Sequence, residues 1–596
     1  QGRHMTFFRL VAATALLLSA APQSYASDIS PSDTIIVTAT RTEIPLEQAT
    51  VPVRVITRDD IELSLATDLA ELLRFEAGID IGRNGGPGQA TSFFMRGTES
   101  NHTLVLIDGV RMNPGTIGGA AIQHISPEVI ERVEIVKGAR SALFGTDAIG
   151  GVINIITRRA DETHVEGGVG AGSFDSRSAF VSGGLRKEKN QVGVTLDWQD
   201  TAGFPPRVGS DVDRGYDNFS LNIHAARDIG RGEISLRHWR AEGTVEYLDF
   251  FLAPVDQDFR NSVTAFQFDK QMSARGTNKL IVSHMQDRIA QNQSDDFVES
   301  ERLSLDWQHT LAFSEHTLTA GVFAMQETAQ TLSFGSGFDE DTDVQALFVQ
   351  DQWIRGRHRA FVAARLTDHE TFGNQTTYNV EYGYELTPSW SVHGGIGRAF
   401  RAPDATDRYG FGGNPDLEPE IADEYQLGLR YAPGNRHSVD IEFYANDIED
   451  LIEFDFATFT LVNIDSAEIR GVQLGYEYLG DSFSLRTDLV RQQADNTSND
   501  SRLLRRAEES ITVSYTQDVG RHRLGLSVLA SGDREDFGGV VLPGYVVASL
   551  TGQLQLSRNL QLNARVENLL DAEYQTAADF RMQGRSAFIE LKYARP

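Results

Sequence analysis

Two stretches gather carboxylates closely enough to hold a hard cation. "GSDVDRGYDN" (209–218) carries Asp211, Asp213 and Asp217, and "EYLDFFLAPVDQD" (246–258) carries Asp249, Asp256 and Asp258. A cation of the calcium type takes roughly six to eight oxygen donors, and carboxylates on flexible loops supply them. In a chain of net charge −30 the same residues also read as ordinary solvated loop faces. Other site chemistry is missing. With no cysteine there is neither a disulfide framework nor a thiolate to bind metal or attack a substrate. The sequence has no Gly-x-Ser-x-Gly elbow, no His-Glu-x-x-His helix and no phosphate-cradling Gly-x4-Gly-Lys-Ser/Thr loop. "GGVGAG" (167–172) has no helical pattern after it, which a dinucleotide fold requires. The chain reads as no enzyme and as needing no cofactor. Its acidity excludes nucleic acid as a partner, since phosphates require a basic face.

What positions such loops depends on the compartment. Gln1 to His4 read as an appended remnant ahead of the natural start at Met5. Arg9 then gives a positive n-region, Leu10 to Ala21 an apolar core and Ser24-Tyr25-Ala26 a small-x-small cleavage signal, so residues 1–26 form an export leader. No later run reaches eighteen consecutive apolar residues, which excludes spanning helices.

From about Glu162 to Tyr593 the recurring signal is alternation with period two. Val192, Val194, Leu196 and Trp198 alternate with polar or small neighbours, as do Val439, Ile441, Phe443 and Ala445. The pattern returns in Leu560, Leu562, Ala564 and Val566, and in Ala587, Ile589, Leu591 and Tyr593. One apolar and one polar face fits either a soluble sandwich or a membrane barrel. Export, strand number and aromatic strand ends favour the barrel, whose closure alone satisfies every backbone group in lipid. Residues 160–596, at roughly twenty residues per strand with its turns, give a transmembrane antiparallel β-barrel of about 22 strands. Ala594, Arg595 and Pro596 are expected beyond the last strand.

A barrel that wide leaks unless it is filled. Residues 43–159 have the texture of a filling. A helical pattern over Asp59 to Phe75 (Ile61, Leu63, Leu69, Leu72, Leu73) mixes with short strands, Thr103 to Ile107 and Val133 to Val136, and with Gly-rich loops. The expectation is an N-terminal α/β plug domain inside the lumen.

Four long stretches now carry a family resemblance. "FFMRGTESNHTLVLIDGVRMN" (93–113), "IERVEIVKGARSALFGTDAIGGVINIITRR" (130–159), "FRAPDATDRYGFGGNPDLEPE" (400–420) and "VENLLDAEYQT" (566–576) resemble TonB-dependent outer-membrane receptors, in the right order along essentially the whole mature chain. "DTIIVTA" (33–39), "GIDIGRNGGPGQATS" (78–92) and "LLRRAE" (503–508) look most like the cobalamin receptors among them. The resemblance implies a monomeric bacterial outer-membrane barrel, set in lipid and lipopolysaccharide. Such a barrel binds cobalamin or a related corrinoid outside and imports it when TonB, with its inner-membrane energising complex, pulls. A ferric-siderophore or haem receptor is the alternative, and a passive porin or adhesin is disfavoured by the plug.

Site residues follow from the same matches. Within residues 27–42, Asp33, Thr34, Ile35, Ile36, Val37, Thr38 and Ala39 match the TonB box, a strand with no partner in its own chain that adds to a sheet edge of TonB. The residues alone also allow a first edge strand of the plug. Ligand contact is implied for Asn84, Gly85, Gly86, Gln89 and Ser92 in a first apical loop and Ile117 in a second, with Gly88 also permitting close backbone approach. Neutral donors and an apolar wall suit an amide-fringed corrinoid. An anionic siderophore calls for an Arg/Lys cluster, and these loops offer only Arg83 and His124. Calcium is implied at the six aspartates, although Pro205 and Gly215 stand about where the family pattern has acids. Finally, Arg96 and Arg140 match two plug arginines held by wall glutamates. The matching wall positions carry Gln426 and Gln473, so Glu424 and Glu477, which also face inward, are the expected substitutes.

Overall fold

The computed structural model describes residues 35–36, 38–160, 162–333, 335–455 and 457–595. The leader, and Asp33, Thr34 and Val37 of the coupling segment, lie outside the described residues.

Among the described residues a closed antiparallel barrel of 22 strands runs from His164–Gly172 to Ser586–Arg595, with the two-residue Ser501–Arg502 ladder as a spur in one loop. Side-chain alternation is what sorts its faces. In the strand Asn190–Phe204, Val192, Val194 and Trp198 are exposed outward while Gln191, Thr195 and Asp197 are buried in the lumen. The last strand continues past Tyr593, because Ala594 and Arg595 pair with Glu166 and Val165 of the first strand. Stopping at Tyr593 would leave backbone groups of that first strand open at the seam, which a lipid environment penalises. Pro596 lies outside the described residues.

Short turns close one rim, as between Val519 and His522, and an aromatic collar marks it. Trp390 meets Tyr431 at 4.5 Å there and Tyr478 meets Phe483 at 4.8 Å, the placement expected at a membrane interface. Long loops, among them 402–419 and 568–585, crown the other rim. Strands such as Ser336–Arg355, at 20 residues, are about twice what a bilayer needs, so the wall stands well clear of the lipid.

The plug is a five-stranded sheet in the order Val53–Ile56, Ile130–Lys137, Gly151–Thr157, Thr103–Ile107 and Val110–Arg111, with a single parallel pair between the third and fourth. Val105, Ile107, Val133, Ile135, Ile153 and Ile155 are buried in one cluster that continues into the wall through Trp239, Val263 and Met285. The helical pattern over 59–75 resolves into two helices, Arg58–Ser64 and Leu69–Leu73. Leu65, left-handed at φ 50°, ends the first, and Asp68 caps the second by accepting from the Glu71 amide. A separate hairpin, Ile79–Arg83 with Thr91–Met95, carries the first apical loop at its tip.

Candidate functional site

Two plug loops, 84–90 and 113–124, reach the long-loop rim. Thr576 Oγ1 accepts from the Arg83 amide at 3.0 Å, and the amides of Ala405 and Thr406 donate to the Gly115 and Thr116 carbonyls at 2.9 and 3.0 Å. Ile117 is 44% exposed, and Asn84 and Ser92 are half-buried. Gly85, Gly86 and Gln89 are buried. A Cβ on Gly85 would lie 2.5 Å from Pro206 Cβ and one on Gly86 3.2 Å from Phe204, while Gln89 Nε2 donates to Glu246 O at 2.6 Å. The close approach these glycines permit is therefore made by the barrel in this structure. The two basic groups are also withdrawn. Arg83 is buried with both Asp68 oxygens at 2.7 and 2.8 Å, and His124 is buried against Phe259, where burial pushes its imidazole down to about 3.

The coupling segment is docked inside its own chain. Ile35 and Ile36 pair with Pro45 and Ile44, and the Ile36 side chain is fully buried, so the expected unpartnered strand is an edge hairpin of the plug. The backbone groups of an isolated strand beside an apolar core need partners, and these are the nearest. The buried Glu134 accepts from the Thr38 amide at 2.9 Å and the Thr38 hydroxyl at 2.7 Å, and Asn154 donates to that hydroxyl at 3.0 Å. Arg41 then fixes the segment to the wall. Its guanidinium lies 2.5 Å from Asp306, donates to Leu143 O at 2.7 Å and covers the Phe348 ring at 4.4 Å. Replacing Arg41 by Ala removes a charge-assisted contact of roughly 1.5–3 kcal/mol, raising the undocked population about ten- to hundredfold. Hydrogen exchange of peptides covering 35–45 measures this, and unchanged protection would mean that the guanidinium does not hold the segment.

At the plug waist, Arg96 Nη1 lies 3.3 Å from Glu424 Oε1 and the guanidinium sits 4.6 Å over the Tyr444 ring. Arg140 Nη1 donates to Glu381 Oε1 at 2.7 Å. Glu424 thus stands beside Arg96 in place of the amide at 426. Glu477 does not play that part for Arg140: it lines a cavity of about 510 Å³ near the short-turn rim with Arg486 and Asp488. Gln473 Oε1 accepts from Lys137 Nζ at 3.0 Å, and Gln426 Oε1 is buried without a hydrogen-bond partner. Glu381 escaped the sequence reading because, in "YNVEYGYELT", it is one inward polar residue among several. Arg41, directly after the coupling segment, was the readable signal for the Asp306 contact.

The six aspartates do not converge. Asp249 accepts from the Phe251 and Ala253 amides at 2.8 Å each, Asp256 and Asp258 share the Asn292 side-chain amide, and Asp258 also accepts from Thr244 at 2.8 Å. Asp217 also accepts from Thr244 and lies near Asp258, yet among the described residues no three carboxylate or imidazole side chains form a cation-sized cluster. The residues present do not fit calcium, because the carboxylates are spread over separate loops and those of Asp217, Asp249, Asp256 and Asp258 accept from N–H and O–H donors.

A closed barrel, a lumenal plug and a docked N-terminal strand define an energised outer-membrane transporter. Family models agree: "TonB-dependent Receptor Plug Domain" matches residues 45–152 and "TonB dependent receptor-like, beta-barrel" residues 161–569. The chain belongs to the TonB-dependent receptors of the bacterial outer membrane, which are transporters and not enzymes. It is 30% identical to the vitamin B12 transporter BtuB of Vibrio vulnificus, over 98% of this chain and 99% of that one. It is 27% identical to the vitamin B12 transporter BtuB of Photobacterium profundum, over 96% and 97%. Among solved structures it resembles the FrpB iron transporter of Neisseria meningitidis, with TM-score 0.80, 14% identity and coverage of 91% and 99%. The siderophore receptor PiuA of Acinetobacter baumannii gives TM-score 0.78, 16% identity and coverage of 93% and 98%.

Proposed function

We propose that this receptor imports a corrinoid. The observation that carries the reading is the withdrawal of charge from the apical surface: Arg83 is spent on Asp68 and His124 is buried and neutral, which leaves Asn84, Ser92 and Ile117 to meet a ligand. An amide-fringed ring with an apolar face is served by such groups, whereas a ferric chelate would need free guanidinium or ammonium groups. The two vitamin B12 transporters matched over nearly their full length support the same ligand class, while the likeness to iron transporters supports the fold alone. Coupling follows from the contacts below. TonB adds a strand to residues 35–39 and draws on Thr38, whose partner Glu134 sits on the plug strand Ile130–Lys137, next to the central one. Titration of the purified receptor with cyanocobalamin, beside a ferric catecholate and haem, should give a Kd below about 1 μM for the corrinoid alone. A weaker corrinoid, or a tighter iron chelate, removes the assignment and leaves the fold untouched.

A further inference from the structure

Across the lumen from the arginine contacts, one wall side chain reaches both apical loops. Tyr216, on the barrel strand Arg214–Asp228, is buried. Its ring covers Gly88 of the first loop so closely that a Cβ there would lie 2.1 Å from Tyr216 Cδ2, and Gly88 has φ +72°, a conformation that side chains avoid. Its hydroxyl lies 3.2 Å from His124 Nδ1 and 3.4 Å from Gln123 O, both in the second loop. The His124 ring in turn stacks on Phe259, with centroids 3.6 Å apart and 7° between the planes. Asn218, two residues along the Tyr216 strand, donates to His124 O at 3.0 Å. The Tyr216 hydroxyl donates its proton to the Gln123 carbonyl, so its oxygen is left to accept from Nδ1–H of the buried, neutral His124.

We propose that Tyr216 is a positioning residue that sets the spacing of the two apical loops and, through it, the affinity for ligand; the second half rests on the ligand surface argued above. The loops belong to different plug elements, a hairpin tip and the segment after Val110–Arg111, so their relative position is not fixed by one strand or turn. A neutral ligand gripped by dispersed contacts from both depends on that position, since affinity rises when the contacting groups are already placed. Tyr216 sees the first loop through its ring and the second through its hydroxyl, so the two halves of the clamp can be removed separately.

The test uses the full receptor. Because the chain has no cysteine, a spin-label pair on Asn84→Cys and Ile117→Cys reports loop spacing without ligand. Tyr216→Phe keeps the ring over Gly88 and loses the hydroxyl, and Tyr216→Leu loses both. The Phe variant should broaden the distance distribution and, in the unlabelled receptor, weaken cyanocobalamin binding about three- to tenfold. The Leu variant should do more, and His124→Phe should match Tyr216→Phe and add nothing to it in the double variant. Thermal unfolding of the barrel should not move. Unchanged spacing and affinity in both Tyr216 variants overturn the proposal, and so does a lowered barrel melting point with unchanged spacing, which is plain packing. If the unmodified receptor binds no cyanocobalamin, only the ligand reading fails, and the distances still decide the spacing.

Discussion

Replacing Ile36 by proline is expected to abolish energised uptake while leaving ligand affinity unchanged. Ile36 pairs with Ile44 in a two-residue ladder, too short to hold by itself, so the segment stays docked mainly through Thr38 on Glu134 and Arg41 on Asp306. When TonB takes the segment it must form main-chain hydrogen bonds to it, and proline deletes one donor and fixes φ near −65°. A lost bond with its acceptor stranded costs roughly 2–3 kcal/mol, which is on the order of a hundredfold in coupling. The apical loops are held by Pro206, Tyr216, Thr576 and the 402–419 loop, none of which involves Ile36. Uptake by cells and affinity of the purified variant should therefore separate, with Ile36→Ala, which keeps its N–H, as the control. Normal uptake by the proline variant would rule out strand addition at this position.

How far the sequence reached can be seen residue by residue. The barrel was legible because Val192, Val194 and Trp198 alternate with Gln191, Thr195 and Asp197, and each side chain's face follows from its own position in the strand. The seam was not, since whether Arg595 belongs to the last strand is decided by Val165, more than four hundred residues away. The helical stretch in the plug was visible as apolar periodicity, but its break at Leu65 turns on the Asp68 cap and on packing that periodicity does not encode. At the candidate site the motifs located the loops and the arginines. They did not reveal that Gly85 and Gly88 face Pro206 and Tyr216, or that Glu381 meets Arg140, because each of those pairs joins plug to wall across a contact with no sequence period.

Among the buried charges between plug and wall, removing Glu381 is expected to cost most. Its carboxylate accepts from Arg140 and from the Thr50 hydroxyl, and Arg140 already has Nε and Nη2 without hydrogen-bond partners. Glu381→Ala would strip the buried Arg140 guanidinium of its directly paired carboxylate and leave only the field of Glu424 to offset it, a change of roughly 3–5 kcal/mol. Glu424→Gln should cost about 1–2 kcal/mol, because the Arg96 contact is longer at 3.3 Å, the Tyr444 ring still faces the cation, and an amide oxygen can still accept from Ala139 N–H. Gln426→Glu would bring a second carboxylate to the face that holds Glu424. Attraction to Arg96 is then offset by repulsion between the two acids, and the net gain should stay below about 1 kcal/mol. Thr50 lies on the chain that follows the coupling strand, so Glu381 is where a pull on residues 35–45 meets a buried plug-to-wall charge. Pulse proteolysis of the plug in urea, under conditions where the barrel stays folded, ranks the three variants. Should Glu381→Ala fall within 1 kcal/mol of the parent while Gln426→Glu is the stabilising change, the two glutamates are not the latch, and the amide at 426 marks a weakened one.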